Sequence, residues 1–398
     1  MKKNILFISP AFANKGVIWK YDKRYIEALS TDFSFAIATK KCNPQLTVPY
    51  TPIFSSYIPT KIFQILKFRY LNDIEFIVPD LFRISINPFL YRKCKDYIQN
   101  NKVDYIHTIC FPCSSNLIGY KLKKKFNIPW IAQFYDPWIG NPFRNIPPKL
   151  KLLDESLEQL VANNADIIIH SNNIIKRQWI TRYGDHLKNK IYTIPFCYST
   201  EQISRNLKSN NIKQTEKRII SYIGTCAGDR NLQSVIKAVH IFTNYEPELR
   251  NKLEIRILGN LLPIDQHLIE NYKIKDIIKF VGRIPSDQLD KYYLESDIFL
   301  VIDSPNIENI FFPSKLLDYF LYSKPILGIS PKIGITNELL TKSNNTCIEN
   351  HDVISIYKYF KQAIIDWQSL QNFDKDFYKN FSPECIAKQF NSIINNLL

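Results

Sequence analysis

Glycine is scarce in this sequence, and several motifs that depend on it are missing. The 398 residues contain 10 glycines, and none of the patterns GxGxxG, GxxxxGK[ST], GxSxG or HExxH occurs. The first two patterns wrap glycine backbone around a dinucleotide or a nucleoside triphosphate. The other two mark a serine nucleophile and a zinc protease site. These absences argue against a nicotinamide enzyme or a P-loop ATPase.

Long apolar runs are also missing. No stretch reaches the roughly 18–20 apolar residues that a membrane-spanning helix needs. The apolar run in residues 1–8 is too short for a secretory signal and stops at Ser9-Pro10. We therefore expect a cytoplasmic protein whose eight scattered cysteines are reduced thiols. Cys110 and Cys113 form a CxxC, but no second CxxC or paired histidine completes a zinc site, so we expect two buried thiols in a strand-to-helix turn.

Acidic residues are outnumbered by basic ones. The chain has 52 Lys and Arg against 37 Asp and Glu, a formal net charge of +15. A field of this sign favours nucleic acid, an acidic membrane surface or phosphorylated substrates, unless the charge is plain solvated surface. Residues 55–92 interleave aromatic side chains with basic ones. This pattern is typical of a membrane-surface contact or a nucleic-acid groove, and also of helices whose aromatic side chains lie in the core.

Short apolar runs alternate with stretches of helical period along the whole chain. This alternation indicates βαβ units, parallel sheets and the α/β class. A polar, Asn-, Ser- and Lys-rich connection over residues 198–216 divides it into two halves. The strands that we expect are Asn4–Ser9, Phe33–Ala38, Tyr105–Ile109, Trp130–Phe134, Ile167–His170, Lys190–Ile194, Arg218–Ile223, Leu253–Leu258, Ile278–Val281, Ile298–Ile302 and Pro325–Gly328.

One candidate site is a helix start at Pro313-Ser314, which follows an apolar strand and a polar loop. Pro313 falls in the first turn, where its missing N–H costs nothing. The free N–H groups of the helix start form an anion site suited to a diphosphate. Lys315 adds a positive charge, and Asp318, about one turn further on, can accept from ribose hydroxyls. Taken alone, this pattern is as typical of a plain capped helix.

A second strand-loop-helix unit spans Ser221–Leu232. Gly224 and Gly228 let the backbone approach a ligand, and Arg230 can hold a phosphate with two N–H groups. Both units follow the carboxyl ends of parallel strands, where ligands bind in open α/β sheets. Two phosphate-suited loops in one half favour a nucleotide site over two plain helix caps.

An ordered set of segments resembles retaining glycosyltransferases of family 4, in the bacterial branch that builds surface polysaccharides. The segments are 5–12 (ILFISPAF), 129–138 (PWIAQFYDPW), 165–171 (ADIIIHS), 224–230 (GTCAGDR), 280–284 (FVGRI), 296–298 (SDI) and 313–325 (PSKLLDYFLYSKP). The resemblance implies the GT-B fold, with two facing Rossmann-like domains and a cleft between them. It implies an acceptor-binding domain over 1–197 and a donor-binding domain over 217–375. A helix in 376–398 would cross back to the first domain.

The resemblance also implies which residues bind the donor. Arg230 matches the residue that holds the donor diphosphate, and Lys315 matches a second basic residue nearby. The surrounding loop and helix start contribute Gly224, Thr225 and Ser314.

The Glu-x7-Glu signature of the family is altered here. Asp318, seven residues before Pro325, stands at the second acidic position, which binds the ribose. Ile310 stands at the first position, whose Glu contacts the donor sugar. Either Glu308 substitutes for that contact or the sugar is held in another way.

In the first half, Tyr135 and Asp136 stand where the family has an Arg-Asp-Pro-Trp loop. The resemblance places Asp136 at the cleft, near the donor sugar and the acceptor hydroxyl. The alternative is a turn aspartate that caps the chain before a proline. Phe12, Lys20 and Arg24 are expected on the acceptor side.

We therefore predict a retaining hexosyltransferase that moves a sugar from a nucleotide-diphosphate sugar to a lipid-linked or oligosaccharide acceptor, in lipopolysaccharide or capsule synthesis. Arg230, Lys315 and helix N–H groups would stabilise the leaving diphosphate, with no metal or other cofactor. The enzyme would be cytoplasmic, with the inner membrane surface as a partner and no nucleic acid. The alternatives are a nucleotide-sugar epimerase of the same fold and a non-enzymatic binder of RNA or acidic lipid. His107 and His170 are expected to be structural.

Overall fold

A computed structural model describes residues 2–13, 17–40, 46–55, 87–110, 113–141, 148–199, 216–285, 288–305 and 309–396. The chain divides into two compact units. The first unit comprises Met1–Ser199 and Phe381–Leu398, and the second comprises Thr200–Asn380.

The first unit is built on a seven-stranded parallel sheet with the order β3-β2-β1-β4-β5-β6-β7. Its central strands are buried on both faces, which is why they appear in the sequence as continuous apolar runs. The strands are β1 (Lys3–Ile8), β2 (Phe33–Lys40), β3 (Tyr50–Ser55), β4 (Tyr105–Ile109), β5 (Trp130–Phe134), β6 (Ile167–His170) and β7 (Ile191–Thr193).

Helices connect these strands and cover the sheet. They are α1 (Val17–Leu29), α2 (Asn87–Asn100), α3 (Ser114–Phe126), α4 (Pro148–Asn164), α5 (Asn173–Tyr183) and, at the end of the chain, α12 (Pro383–Asn395). Helix α12 packs on α1, and its Phe390 ring contacts Tyr25 and Phe33. The last helix is therefore part of the core of the first unit.

The second unit contains a six-stranded parallel sheet with the order β10-β9-β8-β11-β12-β13. The direction of strand order reverses between β8 and β11, the place where ligands bind in Rossmann-like sheets. The strands are β8 (Arg218–Gly224), β9 (Leu253–Gly259), β10 (Ile278–Gly282), β11 (Ile298–Ile302), β12 (Ile326–Ile329) and β13 (Thr346–Ile348).

The helices of the second unit are α6 (Gln233–Tyr245), α7 (Pro263–Asn271), α8 (Leu289–Glu295), α9 (Ser314–Leu321), α10 (Ile335–Lys342) and α11 (Val353–Ile365). Lys324 closes the carboxyl end of α8, because its ammonium donates to the carbonyls of Tyr293 (2.9 Å), Leu294 (2.5 Å) and Ser296. Burial lowers the pKa of Lys324 to about 8.

The predicted α/β class and two Rossmann-like domains are confirmed, and each predicted strand overlaps an observed one. Strands β3 and β13 were not predicted; each lies at one edge of its sheet, whereas the strands at the opposite edges, β7 and β10, were predicted. Strand β3 contains Pro52, a residue that only an edge strand tolerates, and β13 has three residues. Most of the predicted aromatic and basic segment, residues 56–86, lies outside the described residues. Across the described ranges, no helix is both long and apolar enough to cross a bilayer.

Candidate functional site

A cavity of about 320 Å³ lies at the carboxyl edge of the second sheet, at the reversal between β8 and β11. It is lined by residues 222–225, Arg230, 300–303, 311–315 and Tyr319. The two phosphate-suited units of the sequence, the loop after β8 and the start of α9, thus contribute to one cavity. Gly224, Thr225, Arg230, Ser314 and Lys315 all line it.

The end of β8 requires a glycine on the neighbouring strand. Gly259 has a φ of +145°, and a Cβ atom there would lie 1.8 Å from the carbonyl oxygen of Gly224. No side chain fits that space, so Gly259 allows β8 and β9 to pair up to their last residues, Gly224 and Gly259. This pairing fixes the first residues of the loop that carries Arg230.

A tight turn presents Arg230. The backbones of Ala227 and Arg230 exchange two hydrogen bonds of 3.1 Å, and Gly228 within the turn has a φ of +55°. The Asn260 side chain bonds both the N–H (2.8 Å) and the carbonyl (2.7 Å) of Cys226. The buried Nε of Arg230 has no hydrogen-bond partner among the described residues. The turn therefore brings a guanidinium with an unused donor to the cavity.

Helix α9 has the predicted start at Ser314, but Pro313 lies just before its first turn instead of within it. Pro313 is the N-cap, with an extended ψ of 102°, and Ser314 is the first helical residue. Among the residues that the structure describes, no side chain caps this end, and the first N–H groups of a helix have no acceptor within it. Since Pro313, Ser314 and Lys315 line the cavity, this helix start can bind an anion there.

Lys315 and Asp318 form a cluster with Tyr293 of α8. The Asp318 carboxylate accepts from the Tyr293 hydroxyl at 3.0 Å and lies 3.4 Å from the Lys315 ammonium. Asp318 is not among the residues that line the cavity. This placement does not support the contact with ribose that the resemblance implies, because the carboxylate is directed toward α8.

Asp303, the first residue after β11, lines the cavity but was not among the residues predicted for the site. It is 2% exposed, and its Oδ2 accepts from the Ser330 hydroxyl at 2.8 Å. Burial raises the pKa of Asp303, while hydrogen bonds from Thr336 and Ser330 and the charge of Arg230 oppose the rise. The signal in the sequence was its position, since Asp303 is the first polar residue after the five apolar residues of β11.

An apolar wall completes the cavity. Phe311 is half-buried and Phe312 is 8% exposed. Ile310, at the altered position of the family signature, is also 8% exposed. Glu308, the predicted substitute for the missing acidic residue, lies outside the described residues.

Asp136 lies in the first unit, in the loop between β5 and α4, and is half-buried. Burial raises the pKa of its carboxyl to about 6. The preceding residue, Tyr135, donates its hydroxyl to Asp22 of α1 at 2.6 Å. Asp22 is fully buried and was not among the residues predicted for the site. Its spacing from Tyr25 and Leu29 on the buried face of α1 was the available signal.

The predicted acceptor-side residues have different surroundings. Lys20 is exposed on α1, and Arg24 donates to the carbonyl of Cys197 at 3.4 Å. The expectation for Phe12 is corrected, because its side chain is fully buried in the first unit and offers no surface to an acceptor.

The two histidines and the CxxC are buried. His107 bonds the Gln133 side chain through Nε2 at 2.8 Å, and burial lowers the pKa of both His107 and His170 to about 3. The sulfurs of Cys110 and Cys113 lie 3.4 Å apart and are not joined by a disulfide. The chain also contains one Asp-x-Asp triplet, at 374–376, but it is not part of the cavity lining. Within the described part of the chain, no cluster of three or more His, Cys, Asp or Glu could hold a metal.

Comparisons with known proteins agree with this architecture. Residues 204–380 match the family described as glycosyl transferases group 1. No curated protein matches the chain at a significant level. Sucrose-phosphate synthase from Thermosynechococcus elongatus is similar in structure, with a TM-score of 0.64, 15% identity, and coverage of 100% of this chain and 99% of that one.

Two further structures show the same likeness. The HepE protein of Anabaena in complex with UDP has a TM-score of 0.64 and 12% identity, with coverage of 99% of this chain and 100% of that one. The lipopolysaccharide outer core galactosyltransferase WaaB has a TM-score of 0.63 and 12% identity, again with 99% and 100% coverage. At these identities the likeness shows a shared fold, and the predicted GT-B class is confirmed.

Proposed function

We propose that the protein transfers a sugar from a nucleotide-diphosphate sugar to a glycan acceptor, because residues 204–380 match the family described as glycosyl transferases group 1. One observation carries the proposal. Arg230, Lys315 and the start of α9 line a single cavity inside the matched segment.

The cavity suits a diphosphate for electrostatic reasons. A guanidinium can donate two parallel hydrogen bonds to phosphate oxygens, and a lysine adds a second positive charge. The helix start adds N–H donors and the positive end of the helix dipole. The volume of about 320 Å³ falls in the range of small-molecule sites. The similarity to a protein that binds UDP supports a uridine nucleotide as the first probe.

The same groups would assist catalysis. In the proposed reaction, the bond between the anomeric carbon and the β-phosphate oxygen breaks, and the acceptor oxygen bonds to that carbon on the same face. The departing phosphate takes the acceptor proton, so no covalent nucleophile is needed. Arg230, Lys315 and the α9 N–H groups stabilise the charge on the leaving diphosphate without a metal. Asp136 contacts the transferred sugar and the acceptor hydroxyl.

The proposed acceptor is a lipid-linked or oligosaccharide glycan of a surface polysaccharide, used at the cytoplasmic face of the inner membrane. The resemblance to family 4, the likeness to a lipopolysaccharide galactosyltransferase and the net charge of +15 support this part. Sedimentation with liposomes tests the membrane component. We expect more protein on vesicles with anionic lipid than on neutral vesicles, and equal amounts would contradict it.

Thermal unfolding with a panel of nucleoside diphosphates and nucleotide sugars tests the proposed function. A ligand at about 100 times its Kd adds about 2.7 kcal/mol of stability. For a domain of about 150–250 residues, such as the second unit, this gain in stability raises Tm by about 5–10 °C. We expect such a shift with UDP or GDP and little shift with the nucleosides uridine and guanosine. No shift with any nucleoside diphosphate would refute the donor site.

A further inference from the structure

We propose that Asp22 is a positioning residue, which acts through the hydroxyl of Tyr135 to hold Asp136 in the conformation that sugar transfer needs. The inference rests on the proposed function, because it presumes that Asp136 contacts the substrates. Asp22 lies on α1, in a part of the sequence far from the loop that it would hold.

The buried Asp22 carboxyl accepts hydrogen bonds from two residues, each of which directly follows a strand of the first sheet. Ser9, directly after β1, donates its hydroxyl to Oδ2 at 2.5 Å. Tyr135, directly after β5, donates its hydroxyl to Oδ1 at 2.6 Å. All three side chains are buried, with Asp22 and Ser9 fully buried and Tyr135 6% exposed. The Asp22 side chain therefore links α1 to the C-terminal ends of β1 and β5.

Asp136 follows Tyr135, and the rest of its loop is anchored on the other side. The Trp138 indole N–H donates to Asp154 at 2.7 Å, and the backbone N–H of Ile139 donates to Glu158 at 3.1 Å. Asp154 and Glu158 belong to α4, and both are fully buried. The loop is thus held by α4 after Asp136 and by α1, through Tyr135, before it.

The bond to Asp22 controls how Tyr135 is oriented, beyond the packing of its ring. The Tyr135 ring contacts Tyr21 and Phe196, with centroids 5.8 Å and 5.4 Å away. The Ser171 hydroxyl donates to the Tyr135 carbonyl at 2.7 Å. These contacts, including the one with Tyr21 on α1, hold the ring and the backbone, and the bond to Asp22 adds a directional contact at the hydroxyl end of the ring. Removal of the hydroxyl therefore tests the link to Asp22 while the ring packing remains.

The position of the Asp136 carboxyl, which is partly removed from water, should have a strong effect on the rate of transfer. A displacement of about 1 Å in a reacting group can cost about a hundredfold in rate. Buried hydrogen bonds from neighbouring residues that do not touch the substrate can fix the position of such a group.

The experiment compares turnover of the nucleotide sugar that gives the largest thermal shift. Tyr135→Phe removes the hydroxyl, and Asp22→Asn keeps an oxygen that accepts from Tyr135 and an amide that donates to Ser9. Tyr25→Phe is the matched control, since its hydroxyl is also buried but has no hydrogen-bond partner among the described residues. We expect kcat to fall at least about tenfold in Tyr135→Phe, with the KM for the donor unchanged. Tyr25→Phe should stay within about threefold of wild type. Asp22→Leu, which accepts neither hydrogen bond, should lose as much kcat as Tyr135→Phe, and Asp22→Asn, which retains both bonds, should recover most of it. Wild-type kcat in Asp22→Leu would overturn the role of Asp22.

A double-mutant cycle with Asp136→Asn decides whether the effect passes through Asp136. We expect Tyr135→Phe to have no further effect in the Asp136→Asn background. An undiminished tenfold loss in that background overturns the proposal. If Asp136→Asn alone turns over like wild type, the positioning role and the role of Asp136 both fail, while the transfer activity stands.

A crystal structure of Tyr135→Phe gives a readout that needs no substrate. A carboxyl of Asp136 that has moved supports the proposal, and one that coincides with that of the wild type overturns it. This result is independent of whether the protein transfers sugars.

Discussion

The buried carboxyl of Asp22 makes the stability of the first unit depend on pH. Burial raises its pKa from 3.8 to about 7, against the opposing hydrogen bonds from Ser9 and Tyr135. Between these two pH values, Asp22 is therefore protonated in the folded state and ionised in the unfolded chain. The contribution of this group to stability is complete below pH 3.8 and is lost as the pH rises through 7.

The size of the effect follows from the shift. The pKa of Asp22 rises by about three units, and each unit corresponds to 1.36 kcal/mol. The free energy of unfolding should therefore change by about 4 kcal/mol between pH 4 and pH 8 because of this group. Asp22→Asn removes the titration and keeps the shape of the side chain. The free energy of unfolding of the wild type minus that of Asp22→Asn should thus fall by about 4 kcal/mol over this range.

Urea unfolding followed by tryptophan fluorescence measures this difference. Trp130, Trp138 and Trp179 are all buried in the first unit, so their emission reports on its unfolding. The control is Asp185→Asn, which makes the same substitution at a carboxylate that is 79% exposed. A difference for Asp22→Asn that is the same at pH 4 and pH 8 would refute the reasoning.

Three other predictions concern the second unit. Gly259→Ala should lower the free energy of unfolding by about 1–3 kcal/mol or more and weaken UDP binding, because the new Cβ would overlap the Gly224 carbonyl. Gly282→Ala is the control, since Gly282 also has a positive φ (+86°) but open space around it. An equal loss of stability in the two variants would contradict the steric explanation. Lys324→Met should cost about 1–3 kcal/mol in urea unfolding, because the partly buried carbonyls at the end of α8 lose their donor. A stability equal to wild type would contradict its capping role. Transfer activity should be unchanged by EDTA, and loss of activity that Mg²⁺ restores would disprove the metal-free proposal.

The sequence predicted the sheets well because their central strands are short, apolar and bounded by turn residues. Tyr105–Ile109, Ile167–His170 and Ile298–Ile302 have the predicted bounds. The edge strands β7 and β10 were predicted, but β3 and β13 were missed, because β3 contains Pro52 and β13 consists of three partly exposed residues. Local periodicity does not separate such strands from loops.

The candidate site was partly predictable for a similar reason. Arg230 and Ser314 each follow the carboxyl end of a parallel strand, and topology alone brings such ends together. Asp22 could not be placed in the same way, because its partners Ser9 and Tyr135 are 13 and 113 residues away in the chain. Phe12 was misassigned because an aromatic residue in a loop after β1 has the same local sequence whether it faces a ligand or the core.

Calorimetric titration of UDP and GDP into wild type, Arg230→Ala and Arg250→Ala tests the claim that the cavity binds a nucleoside diphosphate through Arg230. Arg250 carries the same charge but pairs with Asp276 at 2.8 Å, outside the cavity lining. A charged hydrogen bond contributes about 1.5–3 kcal/mol, so Arg230→Ala should raise the Kd about 10- to 150-fold, while Arg250→Ala binds like wild type. Equal affinities of Arg230→Ala and wild type, or no binding of either nucleotide by wild type, would contradict the account.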